Sequence, residues 1–200
     1  APAGPERRLF KTHTPLDGIP IIEGVNYIAV FRDPGAAFLS MRRHLRNMVA
    51  PSPHHPNAGP WTVAFERFLN APMLPDRFGG VTLPSLSHYL QCAEESATLV
   101  LHYADVFADT REALVTLQQQ LGLNLPDSSL GTILDRTRKS TMAKNADNYF
   151  PTNMFKDNAK FFESTDDSSE RFCDADWIEL NSKLKVHFSA THRNWLSRGA

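Results

Sequence analysis

Two short segments carry residues whose types and spacing suit the handling of an anionic group. The first is Lys11-Thr12-His13-Thr14-Pro15. A histidine titrates near neutral pH and can accept a proton from a reacting group, while a lysine two positions away can neutralise a nearby anion. Taken alone, the pair reads more simply as two solvated turn side chains. The second segment is Phe31-Arg32-Asp33-Pro34, followed by Ser40. Arg32 leaves an apolar run where a helix begins, and free N–H groups and the helix macrodipole there already favour an anion. Ser40 follows Ala36 by four residues, so a small side chain lies beneath it and a phosphate can approach the hydroxyl. A surface pair of Arg32 with Asp33, worth only ~0–1 kcal/mol, would account for the same residues.

The elements around these segments fall into alternating strands and helices. Leu9 to Lys11 reads as a short strand closed by a turn at Thr12 to Thr14 and by Pro15. Tyr27-Ile28-Ala29-Val30-Phe31 is a continuous apolar stretch of the kind buried on both faces of a parallel sheet. Asp33-Pro34 then supplies an N-cap carboxylate and a proline at the first helical position. The helix places Phe38, Met41, Leu45 and Met48 on its apolar face, puts Arg42, Arg43 and Arg46 on others, and stops by Ala50. Pro51 to Pro60 is a loop, with helices expected over Trp61 to Leu69 and Pro84 to Glu95. Pro72, Pro75, Gly79 and Gly80 break the chain between those two helices. A second buried strand spans Thr98 to His102, and an amphipathic helix runs from Thr110 to Leu121, closed by Gly122. Further helices are expected over Leu130 to Lys139 and Trp177 to Trp195, separated in part by the acidic, serine-rich stretch Glu163 to Asp176. The pattern predicts a single α/β domain over residues 1–200 with a central parallel sheet flanked by helices.

The 200 residues carry 21 Lys plus Arg against 22 Asp plus Glu, a net charge of -1. That balance gives no broad attraction to nucleic acid or an anionic membrane, so neither is an expected partner and any anion site must be local. Two cysteines, Cys92 and Cys173, form no disulfide framework and no metal-ligand spacing, and a reducing, cytoplasmic location is expected. His54-His55 has no third ligand near it in sequence and reads as exposed loop. No metal is expected. A serine hydrolase would need a Gly-x-Ser-x-Gly elbow, which the sequence lacks.

Arg8-Leu-Phe-Lys11-Thr-His13-Thr-Pro15, followed by Tyr27-Ile-Ala-Val-Phe-Arg32-Asp-Pro34 and Ser40, resembles the cytosolic-type sulfotransferase family. Weaker similarities continue along the chain. Leu101-His102-Tyr103-Ala104-Asp105-Val106 resembles the family's Tyr-Glu-Asp-Leu strand end, and Arg136-Thr137 with Met142-Ala-Lys144-Asn145 resembles its His-Thr-Ser-Phe-x-x-Met-Lys-x-Asn stretch. Glu170-Arg171-Phe172 and Asp174-Ala175-Asp176-Trp177 resemble its Glu-Arg-Phe-Asp-Ala-Asp-Tyr segment.

The resemblance implies a P-loop-kinase-like α/β sandwich that moves a sulfuryl group from 3′-phosphoadenosine 5′-phosphosulfate (PAPS) to a hydroxyl or amine of a small-molecule acceptor. The product would be 3′-phosphoadenosine 5′-phosphate (PAP), and no metal would be needed. By the same resemblance, His13 is the general base and Lys11 stabilises charge on the sulfuryl oxygens. Arg32 and Ser40 clamp the 3′-phosphate, Tyr103 and Thr137 contact adenine, and residues near His88 help line the acceptor pocket. Three family features have no clear counterpart. The Lys-Ser/Thr-Gly-Thr-Thr loop that holds the 5′-phosphosulfate is absent, and its place would lie before Ala1. The late Arg-Lys-Gly loop is matched only by Lys156 in Met154-Phe155-Lys156-Asp157, and no aromatic follows Thr137. The expectation is therefore a sulfotransferase domain incomplete at its N-terminus, completed by an N-terminal segment or a second chain. The competing expectation is a non-catalytic nucleotide- or phosphate-binding module of the same fold.

Overall fold

The computed structural model describes residues 9–72, 82–150, 153–162 and 170–198. Arg8, the breakers Pro75, Gly79 and Gly80, and residues 163–169 of the acidic stretch lie outside the described residues. Two strands, β1 (Ile28–Phe31) and β2 (Leu99–His102), pair in parallel with Ile28 opposite Leu99 and Phe31 opposite His102. The pairing begins at Tyr27, whose N–H donates to Thr98 Oγ1 at 2.9 Å and whose carbonyl accepts from the Thr98 N–H at 2.8 Å. A parallel pair needs a long crossover. Here three helices supply it: α1 (Pro34–Asn47), α2 (Trp61–Asn70) and α3 (Leu83–Ser96).

Helix α1 starts as its sequence predicts. Asp33 caps it by accepting from the Ala36 N–H at 2.7 Å, and Pro34 occupies the first helical position. Its buried face is formed by Phe38 and Leu45 together with Arg42, which the periodicity had assigned to a polar face. Arg42 is buried because its partners surround it. Its Nη1 donates to the carbonyls of Asn57 at 2.9 Å and Gly59 at 2.7 Å, its Nε donates to Glu170 Oε2 at 3.0 Å, and its Nη2 bonds Glu170 Oε1. These contacts also fold the proline-rich loop inward, so His55 is 6% exposed rather than solvated.

The core gathers around Phe38, which is fully buried and packs on Trp61, Phe65, Phe68 and Phe172 at centroid distances of 4.7–6.0 Å. Leu83, Leu90 and Ala93 of α3 join it, with Leu180 of α8 (Asp174–His187) and Leu196 of α9 (Ala190–Leu196) closing the other side. Between β2 and α8 run α4 (Tyr103–Ala108), α5 (Thr110–Gln120), α6 (Asp127–Thr137) and α7 (Lys139–Lys144). Gly122 ends α5 with φ +58°, the left-handed conformation expected of a C-cap glycine. No helix among the described residues is long and apolar enough to cross a membrane.

Three further expectations are corrected. Leu9 to Lys11 forms no strand, and Leu9 and Phe10 are solvent-exposed, because no described segment pairs with them. β1 is covered on one side only: Ala29 packs on the core while Val30 is 56% exposed. The two long helices expected late in the chain each divide. Arg138 adopts an extended conformation between α6 and α7. Phe188 leaves α8 in an extended conformation to bury its ring, and Ser189 then caps α9 by accepting from the His192 N–H at 3.1 Å.

Candidate functional site

One face of α1 carries Ser40, Arg43, His44 and Asn47, the i, i+3, i+4, i+7 spacing that aligns side chains along a helix. The N-terminal end of this face meets the strand ends. Arg32, just past β1, lies with its guanidinium 4.7 Å from the centre of the Tyr103 ring, just past β2. Tyr103 is stacked in turn on Phe107 at 6.0 Å. A cation over an aromatic face holds the arginine fork in place while leaving its N–H groups available for an anion.

The C-terminal end of α1 is fixed to residues 153–157. The Lys156 N–H donates to the Asn47 carbonyl at 2.7 Å, Val49 N–H donates to Met154 O at 3.1 Å, and Asn47 Nδ2 donates to Asp157 O at 2.7 Å. Lys156 Nζ reaches the Arg46 carbonyl at 2.8 Å. The Asp157 carboxylate accepts from the Ala159 N–H at 2.9 Å, starting a short 3-10 turn (Ala159–Phe161) that presents Lys160 and Phe161 on the same side.

The result is a cavity of about 700 Å³ lined by Arg32, Ser40, Arg43, His44, Arg46, Asn47, Tyr103, Lys156, Asp157, Lys160 and Phe161. Five of these residues carry positive side chains and one a carboxylate, in a chain of net charge -1. Positive charge is thus concentrated in one concave place, which focuses attraction for an anion. His44 packs edge-on against Phe155 and Phe161 at 4.8 and 5.4 Å. Burial, reinforced by the charges of His55 and Lys11, holds its imidazole below the ordinary histidine range. Burial likewise pushes the Asp33 carboxyl up, against the lowering effects of the Ala36 N–H and Arg32.

Of the residues singled out in the sequence, the cavity brings together Arg32, Ser40, Tyr103 and Lys156. Lys11 and His13 are exposed and are not among its lining residues, although the Lys11 charge acts on His44. Thr137 lies on the last turn of α6, where its hydroxyl donates to the Ile133 carbonyl at 2.9 Å, and it too is outside the lining. Arg43, His44 and Asn47 also line the cavity, and neither motif singles them out. Their helical register with Ser40 was the available signal.

Residues 1–173 match the family model described as a sulfotransferase domain, and the chain belongs to the sulfotransferase family. A glycolipid sulfotransferase of Mycobacterium bovis is 31% identical over 148 residues, covering 58% of this chain and 45% of that protein. Bovine sulfotransferase 1A1 is 25% identical over 144 residues, covering 70% of this chain and 46% of that protein. The chain therefore spans about half the length of the curated relatives it matches. The crystal structure of mouse sulfotransferase SULT7A1 complexed with PAP superposes with a TM-score of 0.66 at 19% identity, covering 88% of this chain and 63% of that one. The fold is accordingly that of a sulfotransferase, an α/β arrangement with a parallel sheet flanked by helices.

Proposed function

We propose that the α1 cavity binds PAPS and PAP, and that the chain serves transfer of a sulfuryl group to a hydroxyl or amine of a small-molecule acceptor. The observation that carries this reading is the concentration of Arg32, Arg43, Arg46, Lys156 and Lys160 around Ser40 and Tyr103 in one cavity. The donor has the matching chemistry: phosphate groups and an aromatic base. That the mouse relative was crystallised with PAP supports the same assignment.

In this reading Arg32 supplies a planar fork of donors to the 3′-phosphate and Ser40 adds a hydroxyl, an arrangement suited to charge-assisted hydrogen bonds. Phe161 offers a ring face to the adenine, and Tyr103, whose ring packs on Arg32 and Phe107, contacts it through its edge and hydroxyl. His13 takes the acceptor proton and Lys11 offsets charge on the sulfuryl oxygens, with Thr137 as an adenine contact. Positioning and electrostatics supply the catalysis, as in phosphoryl transfer. At 100 times its dissociation constant, PAP should stabilise the chain by about 2.7 kcal/mol. For a domain of this size that raises Tm by roughly 5–10 °C. No change in Tm would sink the donor assignment.

The exposure of Lys11 and His13, outside the cavity lining, favours a second reading: a nucleotide-binding module with no transfer. His13→Ala separates the two. The enzyme loses transfer and keeps PAP affinity, whereas the module has no transfer to lose.

A further inference from the structure

Among residues that do not line the cavity, three donors of different chemistry converge. Asp17 lies in a 3-10 turn (Leu16–Gly18), and His88 and Cys92 lie four residues apart on one face of α3. Their ligand atoms all lie within 4.8 Å of one another. His88 Nε2 is 2.9 Å from Asp17 Oδ2 and 3.5 Å from Cys92 Sγ.

Both neighbours meet the same ring nitrogen. A cysteine nucleophile activated through histidine needs the thiol at one ring nitrogen and the orienting carboxylate at the other, so this is not a catalytic triad. A shared cation, by contrast, requires convergence on one point. Zinc bonds of about 2.3 Å to sulfur and 2.0–2.1 Å to nitrogen at a tetrahedral angle place the two ligand atoms ~3.5 Å apart. That is the separation between Cys92 Sγ and His88 Nε2. The corresponding nitrogen–oxygen edge is ~3.3 Å, so Asp17 needs to shift by a few tenths of an ångström from His88 while closing on Cys92 Sγ, which lies within 4.8 Å of the carboxylate. It can do so because it is exposed on a three-residue turn, whereas α3 is anchored by the buried Leu90 and Ala93.

We propose that Asp17, His88 and Cys92 bind one zinc ion, with a fourth position open to water. The mixed thiolate, imidazole and carboxylate set favours a borderline cation over magnesium or calcium, which take oxygen ligands. The ion would tie the turn that follows Lys11 and His13 to α3, adding to the contact that Asp17 already makes with His88. The lack of spacing between the two cysteines hid this site from the sequence reading, because its signal is His88-x-x-x-Cys92.

Titration of the full chain with cobalt and with zinc tests the site. Cobalt should give one equivalent of bound metal with a thiolate charge-transfer band in the near ultraviolet, and zinc should displace it. Cys92→Ser should abolish the band and Cys173→Ser should leave it. His88→Ala should weaken zinc binding by at least about tenfold. Because a buried serine at 92 can perturb folding, alkylation of the unsubstituted chain provides a second readout: zinc should slow modification of Cys92 while leaving that of exposed Cys173 unchanged. The proposal is overturned by the absence of a charge-transfer band, by a band that survives Cys92→Ser, or by a Cys92 alkylation rate that zinc does not alter.

Discussion

Helix α1 and the segment from Lys11 to Pro15 both carry residues that resemble the sulfotransferase motifs, but they are held very differently. α1 is capped by Asp33, buried along Phe38 and Leu45, and fixed from behind by Arg42, which joins it to the proline-rich loop and to Glu170. Its polar face is therefore a rigid wall for the cavity. Lys11 to Thr14 is exposed along its length, and within it the Thr14 N–H donates to Thr12 Oγ1 at 2.9 Å. Asp17, in the turn that follows, meets α3 through its carboxylate, which lies 2.9 Å from His88 Nε2. The proposed donor site thus rests on preformed structure, while the residues proposed for proton transfer sit on an exposed segment.

The sharpest way to break this contrast is to loosen α1 from behind. Glu170→Ala leaves Arg42 buried without its carboxylate, an error that costs about 3–5 kcal/mol, and PAP affinity should fall as the cavity wall shifts. Urea denaturation checks the first effect and calorimetry the second. Asp33→Ala removes the N-cap and should cost about 0.5–2 kcal/mol, read from the same denaturation midpoint.

The pH dependence comes next. His44 and His187 are both held below their ordinary values, chiefly by burial. The folded state therefore binds fewer protons than the unfolded state near pH 6, and this contribution is complete above the unfolded histidine value. It is lost as pH falls through the depressed folded values. The denaturation midpoint should drop between pH 7.5 and 5, and His44→Phe should flatten that drop. At the other extreme, Lys11→Ala should change stability by no more than about 0.5 kcal/mol, because the exposed segment carries little of the fold's energy.

Local signals made much of α1 and both strands legible. Asp33-Pro34 marks a helix start whatever lies elsewhere in the chain, and a β-branched run marks a strand. The burial of Arg42 was not legible, because Glu170 lies 128 residues away and nothing near Arg42 in sequence announces it. The cavity was half visible. Arg32, Ser40 and Tyr103 stood out by motif, and Lys156 was the one candidate from its loop. Lys160 and Phe161 reach the site only because Asn47 and Asp157 join two distant backbones. The coverage of β1 was misread for a related reason: an apolar strand shows that burial is suitable, not which neighbours provide it.

Calorimetric titration of PAP into the unsubstituted chain and into Arg32→Ala tests the central claim, that the α1 cavity is the donor site. The account predicts single-site binding that Arg32→Ala weakens about 10- to 100-fold, the loss expected for hydrogen bonds to a charged group. Absence of binding, or equal affinity in the two proteins, would contradict it.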